Sequence, residues 1–121
     1  MEFSLRIAVL SPDATLLAEL RRVCEARSHS LVELLDLRWV PASDVVLLDL
    51  IDAFELADAV QADHPTTSVA LVGDGSARSL GGFRVLNRAW VGDRLGDELE
   101  LAYIGIPART GDDAALDKRV G

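Results

Sequence analysis

The sequence predicts a doubly wound α/β domain, in which a parallel sheet is covered by helices on both faces. Three observations predict it. Short aliphatic and β-branched runs alternate with stretches whose apolar residues recur at helical spacing. Those runs are apolar at successive positions, the pattern of strands buried on both faces. A chain of 121 residues is also long enough for one domain with one sizeable core.

The elements follow in order. "LRIAVL" (5–10) is a first buried strand. Residues 11–30 read as a helix: Ser11 can cap it, Pro12 suits its first position, and Asp13 suits its positive end. Leu16, Leu17, Leu20, Val23 and Cys24 form its apolar stripe. "LVELL" (31–35) is a second strand. The eight residues 36–43 are too few, and too broken by Pro41, for a full helix. "DVVLLDL" (44–50) is the third strand. Residues 53–64 form a helix, with Asp52 and Glu55 spaced as a capping box and Pro65 beyond its end. "TSVALVG" (67–73) is the fourth strand, and 74–82 a loop or a single helical turn. "FRVLNRA" (83–89) is the fifth strand. Residues 92–106 form a last helix, with Leu95, Leu99, Ala102, Tyr103 and Ile106 inward. The expected domain is 1–106, with 107–121 a polar tail or the start of a linker.

Five such units imply a flavodoxin-like sheet of order 2-1-3-4-5 with shortened second and fourth helices. Ligands of that fold sit outside the carboxyl ends of strands 1 and 3. Asp13, Asp49, Asp52 and Asp74 all fall near that edge.

Composition narrows the function. A formal charge of −8 argues against a nucleic-acid binder that neutralises backbone phosphates. No apolar run approaches the roughly 20 residues of a membrane span, so no membrane insertion is expected. The N-terminus lacks the zones of a signal peptide, which together with a single cysteine, Cys24, predicts a reducing, cytoplasmic location. Cys24 lies on an apolar helix face and reads as an inert buried thiol. His29 and His64 read as helix-ending residues that suit the dipole. "GDGSARSLGG" has neither phosphate-loop spacing and follows the fourth strand, which argues against nucleotide binding.

Three stretches in order, "RIAVLSPD", "DVVLLDL" and "GGFRVLNRAW", resemble the receiver domain of bacterial response regulators over about residues 4–106. The resemblance implies a phospho-accepting aspartate at Asp49 and a Mg²⁺ ion held by it and by an acidic pair after the first strand. It also implies a hydroxyl at the end of the fourth strand and a lysine at the end of the fifth. Here the acidic pair falls on Ser11 and Pro12, and only Asp13 beside them is acidic. The hydroxyl position is Gly73, the lysine position is Arg88, and the usual proline after it is Ala89. Lys118 in the tail is the chain's only lysine, so no realignment restores the set.

The altered set implies a degenerate member of the family, a pseudo-receiver without catalytic activity. Such a domain would act in two-component-type signalling by binding a protein partner or a second copy of itself, with no resident cofactor. Asp49 then reads as an inactive acceptor position solvated at the sheet edge, near Arg88 or backbone amides. Replacing it by Asn would be thermally neutral or mildly stabilising. Asp13, Asp49 and Asp52 could still hold a divalent cation such as Mg²⁺. Arg84, Trp90 and Val91 mark the candidate interface, on a flank that the shortened fourth helix would uncover. Two alternatives stand beside this reading. One is an atypical response regulator phosphorylated on Asp49 by a histidine kinase. The other is a small-molecule sensor at the carboxyl edge of the sheet.

Overall fold

The structure, a computed structural model, describes residues 4–74 and 79–104; the expected tail, 107–121, and Ile106 lie outside the described residues. The strands are β1 (Arg6–Leu10), β2 (Ser30–Glu33), β3 (Val45–Leu48), β4 (Ser68–Gly73), β5 (Ser79–Leu80) and β6 (Phe83–Asn87). The helices are α1 (Ala14–Ala26), α2 (Ala53–Asp63) and α3 (Gly92–Ile104). The sheet order is β2-β1-β3-β4-β6-β5, parallel except for the antiparallel pair β5–β6. This is the expected flavodoxin-like order with one strand added.

Side-chain alternation along each strand divides the core in two. Ile7 and Val9 of β1 and Val45 and Leu47 of β3 face α1 and α3, where they meet Leu16, Leu20, Val23, Leu95 and Leu99. Ala8, Val46 and Leu48 face the other side and meet Ala53, Ala57 and Val60 of α2. All four residues of β3 are buried, which places it at the centre of the sheet.

Both shortened helices take a particular form. The chain between β2 and β3 contains no helix, and Leu34, Leu37 and Val40 pack singly against the α2-side core. After β4, the expected loop or turn contains β5, which pairs with Phe83 and Arg84 at the start of β6. The tight reversal uses two left-handed glycines, Gly81 (φ 58°) and Gly82 (φ 89°). The expected opening on the β6 flank is therefore closed in part, at Phe83 and Arg84.

Local details differ for identifiable reasons. Asp13, not Ser11, caps α1, its Oδ1 accepting from the amides of Thr15 (3.0 Å) and Leu16 (3.2 Å). Asp52 caps α2 by position but makes no side-chain capping bond, so the capping box does not form. Cys24 is buried as expected, and burial pushes its thiol up to about 11. His29 does not dangle from a helix end. Its side chain is buried, Nδ1 accepts the Leu5 amide at 3.1 Å, and Nε2–H is thereby left to donate to Glu100 at 3.0 Å.

Asp44 ties β1 to β3. Its Oδ2 accepts the Arg6 backbone amide at 2.7 Å, and its Oδ1 lies 3.1 Å from the Arg6 guanidinium. Those bonds from Arg6 hold the carboxyl below its ordinary value. A depressed folded value contributes stability above the unfolded value near 4, and this is lost as pH falls through the folded value. Asp44→Asn should cost about 1 kcal/mol at neutral pH, a charge-assisted bond discounted for solvent screening. The gap between the two proteins in urea unfolding should narrow as pH falls below the unfolded value and close once the folded carboxyl is protonated; a gap independent of pH would show that the charge contributes nothing.

Candidate functional site

Strand ladders fix the two central residues of the carboxyl edge. Asp49 follows β3, and its amide donates to Leu10 O at 2.9 Å; Arg88 follows β6, and its amide donates to Gly73 O at 2.8 Å. With both backbones held, the side chains meet. Arg88 Nη1 and Nη2 donate to the two oxygens of Asp49, each at 2.6 Å. Ser11 Oγ–H donates to Asp49 Oδ2 at 2.6 Å, and Ser11 Oγ accepts the Asp13 amide at 3.0 Å. Arg88 Nη1 also reaches Asp13 Oδ2 at 3.0 Å, and Nε reaches Asp74 Oδ1 at 2.6 Å.

Asp49 is only 6% exposed, which corrects the expectation of a solvated carboxylate. The planar guanidinium matches the carboxylate fork in a way a lysine ammonium does not. The bonds to Asp49, then those to Asp74 and Asp13, hold the Arg88 guanidinium far above its ordinary value. The Leu16 amide, then Arg88, holds the Asp13 carboxyl below the usual carboxylate range.

These residues do not fit a divalent cation. Such an ion needs several oxygen ligands with free lone pairs directed at it. Both Asp49 oxygens face the guanidinium, Asp13 Oδ1 caps α1, and Asp13 Oδ2 faces Arg88. Ser11 and Pro12 bring no anion, and among the described residues no group of three or more His, Cys, Asp or Glu is arranged to hold a metal. The predicted set of Asp13, Asp49 and Asp52 is thus not assembled; a cation already supplied by the chain stands among the first two. Asp52 borders an open cleft of about 600 Å³ that Asp49, Asp74 and Arg88 also line, with Pro12, Leu50, Ile51 and Val72.

The backbone at Gly73, at the end of β4, is tightly packed. A Cβ on Gly73 would stand 3.0 Å from Val85 Cγ1, so a hydroxyl side chain there requires Val85 to shift.

The residues marked as an interface are spread over one flank. Arg84 lies 3.8 Å from Glu98 of α3. Trp90 packs partly buried on the α1–α3 core, with the Arg94 guanidinium 4.3 Å from its ring centroid. Val91 is exposed, as are Leu101 and Ile104 farther along. Sequence reading missed Ser11 as a donor to Asp49. The signal was available, since a hydroxyl replacing an acid next to a carboxylate converts repulsion into a hydrogen bond.

No family model matches the chain, and no curated protein sequence matches it. Solved structures do. NtrX from Brucella abortus, in complex with ADP, superposes with a TM-score of 0.72 at 17% identity, over 98% of this chain and 30% of that one. The chain thus spans under a third of the length of NtrX. A response regulator from Thermotoga maritima gives 0.70 at 13% identity, over 84% of this chain and 99% of that one. The BeF3-activated DrrB receiver domain gives 0.67 at 19% identity, over 83% and 97%. At these identities the likeness shows a receiver-type fold.

Proposed function

We propose that this chain is a non-catalytic, receiver-like signalling module that acts through protein contact, not through Mg²⁺-dependent phosphorylation of Asp49. The bidentate Asp49–Arg88 pair carries this reading. In-line attack on a phosphoryl donor needs a free carboxylate oxygen and a cation that also binds the donor. Here each oxygen accepts a guanidinium N–H, and Oδ2 takes the Ser11 hydroxyl as well. Breaking these bonds in a site this buried opposes the reaction before any chemistry begins. No cofactor enters this reading. The partner surface in this reading is the flank of Arg84, Trp90, Val91 and α3, where Val91, Leu101 and Ile104 are exposed.

The open cleft beside Asp49 favours a second reading, an atypical receiver phosphorylated at that residue. Intact-mass spectrometry after incubation with acetyl phosphate and Mg²⁺ separates the two. The expected result is an unmodified chain. A gain of one phosphoryl group that Asp49→Ala abolishes would establish the second reading instead.

A further inference from the structure

The free edge of the sheet carries an unassigned surface. Among the described residues β2 pairs with β1 alone and has no strand on its outer side. Ser30 N donates to Leu5 O and Leu34 N to Val9 O, so the even-numbered residues of β2 bond inward. Leu31 and Glu33 therefore direct their N–H and C=O groups outward, as parallel-strand alternation requires. The opposite edge is blunted by the two-residue β5, whereas β2 is open.

The missing helix between β2 and β3 leaves one face of this edge bare. Glu33 leans toward α1, where Arg21 pairs with it. Val32 points to the other face and lies with Leu35 and Trp39 around a cleft of about 280 Å³. These three are 43%, 96% and 72% exposed, a concentration of apolar area unlike the scattered single residues of an ordinary surface.

We propose that β2 pairs with β2 of a second copy of this chain, antiparallel, about a two-fold axis at Val32. Such an axis sets Leu31 opposite Glu33 of the second copy, and their outward groups exchange backbone hydrogen bonds on both sides of the axis. Val32 meets its own counterpart in the non-hydrogen-bonded position. Because the axis is perpendicular to the sheet, Val32, Leu35 and Trp39 of both copies join on one face as a continuous apolar strip. Charge favours a copy at this place. The chain carries −8 overall, but here Arg21 pairs with Glu33 and Arg38 with Asp36, so the patch is neutral. Two four-residue strands and a small apolar strip fall at the low end of specific interfaces, below about 1,200 Å² in total. The dimer is accordingly weak and concentration-dependent.

Sedimentation equilibrium of the full chain tests this with two variants. Val32→Lys opposes two like charges across the axis, and Glu33→Pro removes one outward N–H without touching the bonds to β1. Wild type should rise from monomer toward twice its mass as concentration increases, while both variants stay monomeric with their circular dichroism unchanged. Val32→Cys should give a covalent dimer on oxidation, and Leu101→Cys on α3 should not; Cys24 is buried and does not compete. A wild-type chain that stays monomeric at every accessible concentration would overturn the proposal. So would dimers that persist in both variants, or equal crosslinking of the Val32→Cys and Leu101→Cys chains.

Discussion

Arg88→Met should lower stability by about 3 kcal/mol, which for a domain of this size is a fall in Tm of roughly 10–15 °C. The substitution keeps most of the side-chain volume and deletes the guanidinium. Asp49, 7% exposed by its side chain, is then left with the Ser11 hydroxyl as its remaining side-chain donor. An uncompensated buried carboxylate is costly, and removing one member of a buried pair typically costs about 3–5 kcal/mol. The lower end applies here because Ser11 remains and the cleft admits water. Asp13 and Asp74 add to the loss, since both also face Arg88. The signature of the pair is its repair. Asp49→Asn in the Arg88→Met chain should restore at least about 1–2 kcal/mol, because the amide still accepts from Ser11 and carries no charge. By the same argument Asp49→Asn alone is destabilising, not neutral or stabilising as the sequence suggests. Urea unfolding of the four proteins closes the cycle, and a coupling near zero would mean that the pair is no more than a surface contact.

Gly81→Ala should cost about 2–3 kcal/mol, from two independent sources. The backbone at Gly81 is left-handed, with φ 58°, which penalises a side-chain-bearing residue by roughly 1–2 kcal/mol. The added Cβ would stand 2.1 Å from Phe54 Cε1, so the ring has to move. Phe54 meets Phe83 edge-to-face at a centroid distance of 6.2 Å, an arrangement worth about 0.5–1.5 kcal/mol that the displaced ring loses. Phe54→Ala separates the two sources. In the Phe54→Ala chain the same Gly81→Ala change should cost only its backbone share, about 1 kcal/mol less than in wild type. Equal costs in both backgrounds would show that the ring contact contributes nothing to the β5–β6 reversal.

The elements were legible in the sequence wherever neighbours a few positions apart decide the outcome. The apolar runs 5–10, 44–50 and 67–73 had to be buried on both faces, and the stripe Leu16, Leu20, Val23 and Cys24 had to face the sheet. The same locality explains the failures. Ser11 and Asp13 are both good caps two residues apart, and only the bond from Ser11 to Asp49, 38 positions away, assigns the capping role to Asp13. β5 escaped detection because two exposed residues make no period; it exists through pairing with β6 across the turn at Gly81 and Gly82.

Residue pattern was enough to specify the parallel sheet and its order. It also brought Asp13, Asp49 and Asp74 to one edge, because all three follow strands that end there. What that edge is depended on the assembled sheet. Strand register sets Leu10 beside Leu48 and Gly73 beside Asn87, so Asp49 and Arg88 leave their strands close enough for two 2.6 Å bonds. Thirty-nine positions separate the two in the chain. No local pattern encodes such a meeting, because the electrostatic energy depends on through-space distance and burial, and both are fixed only when the whole sheet has formed.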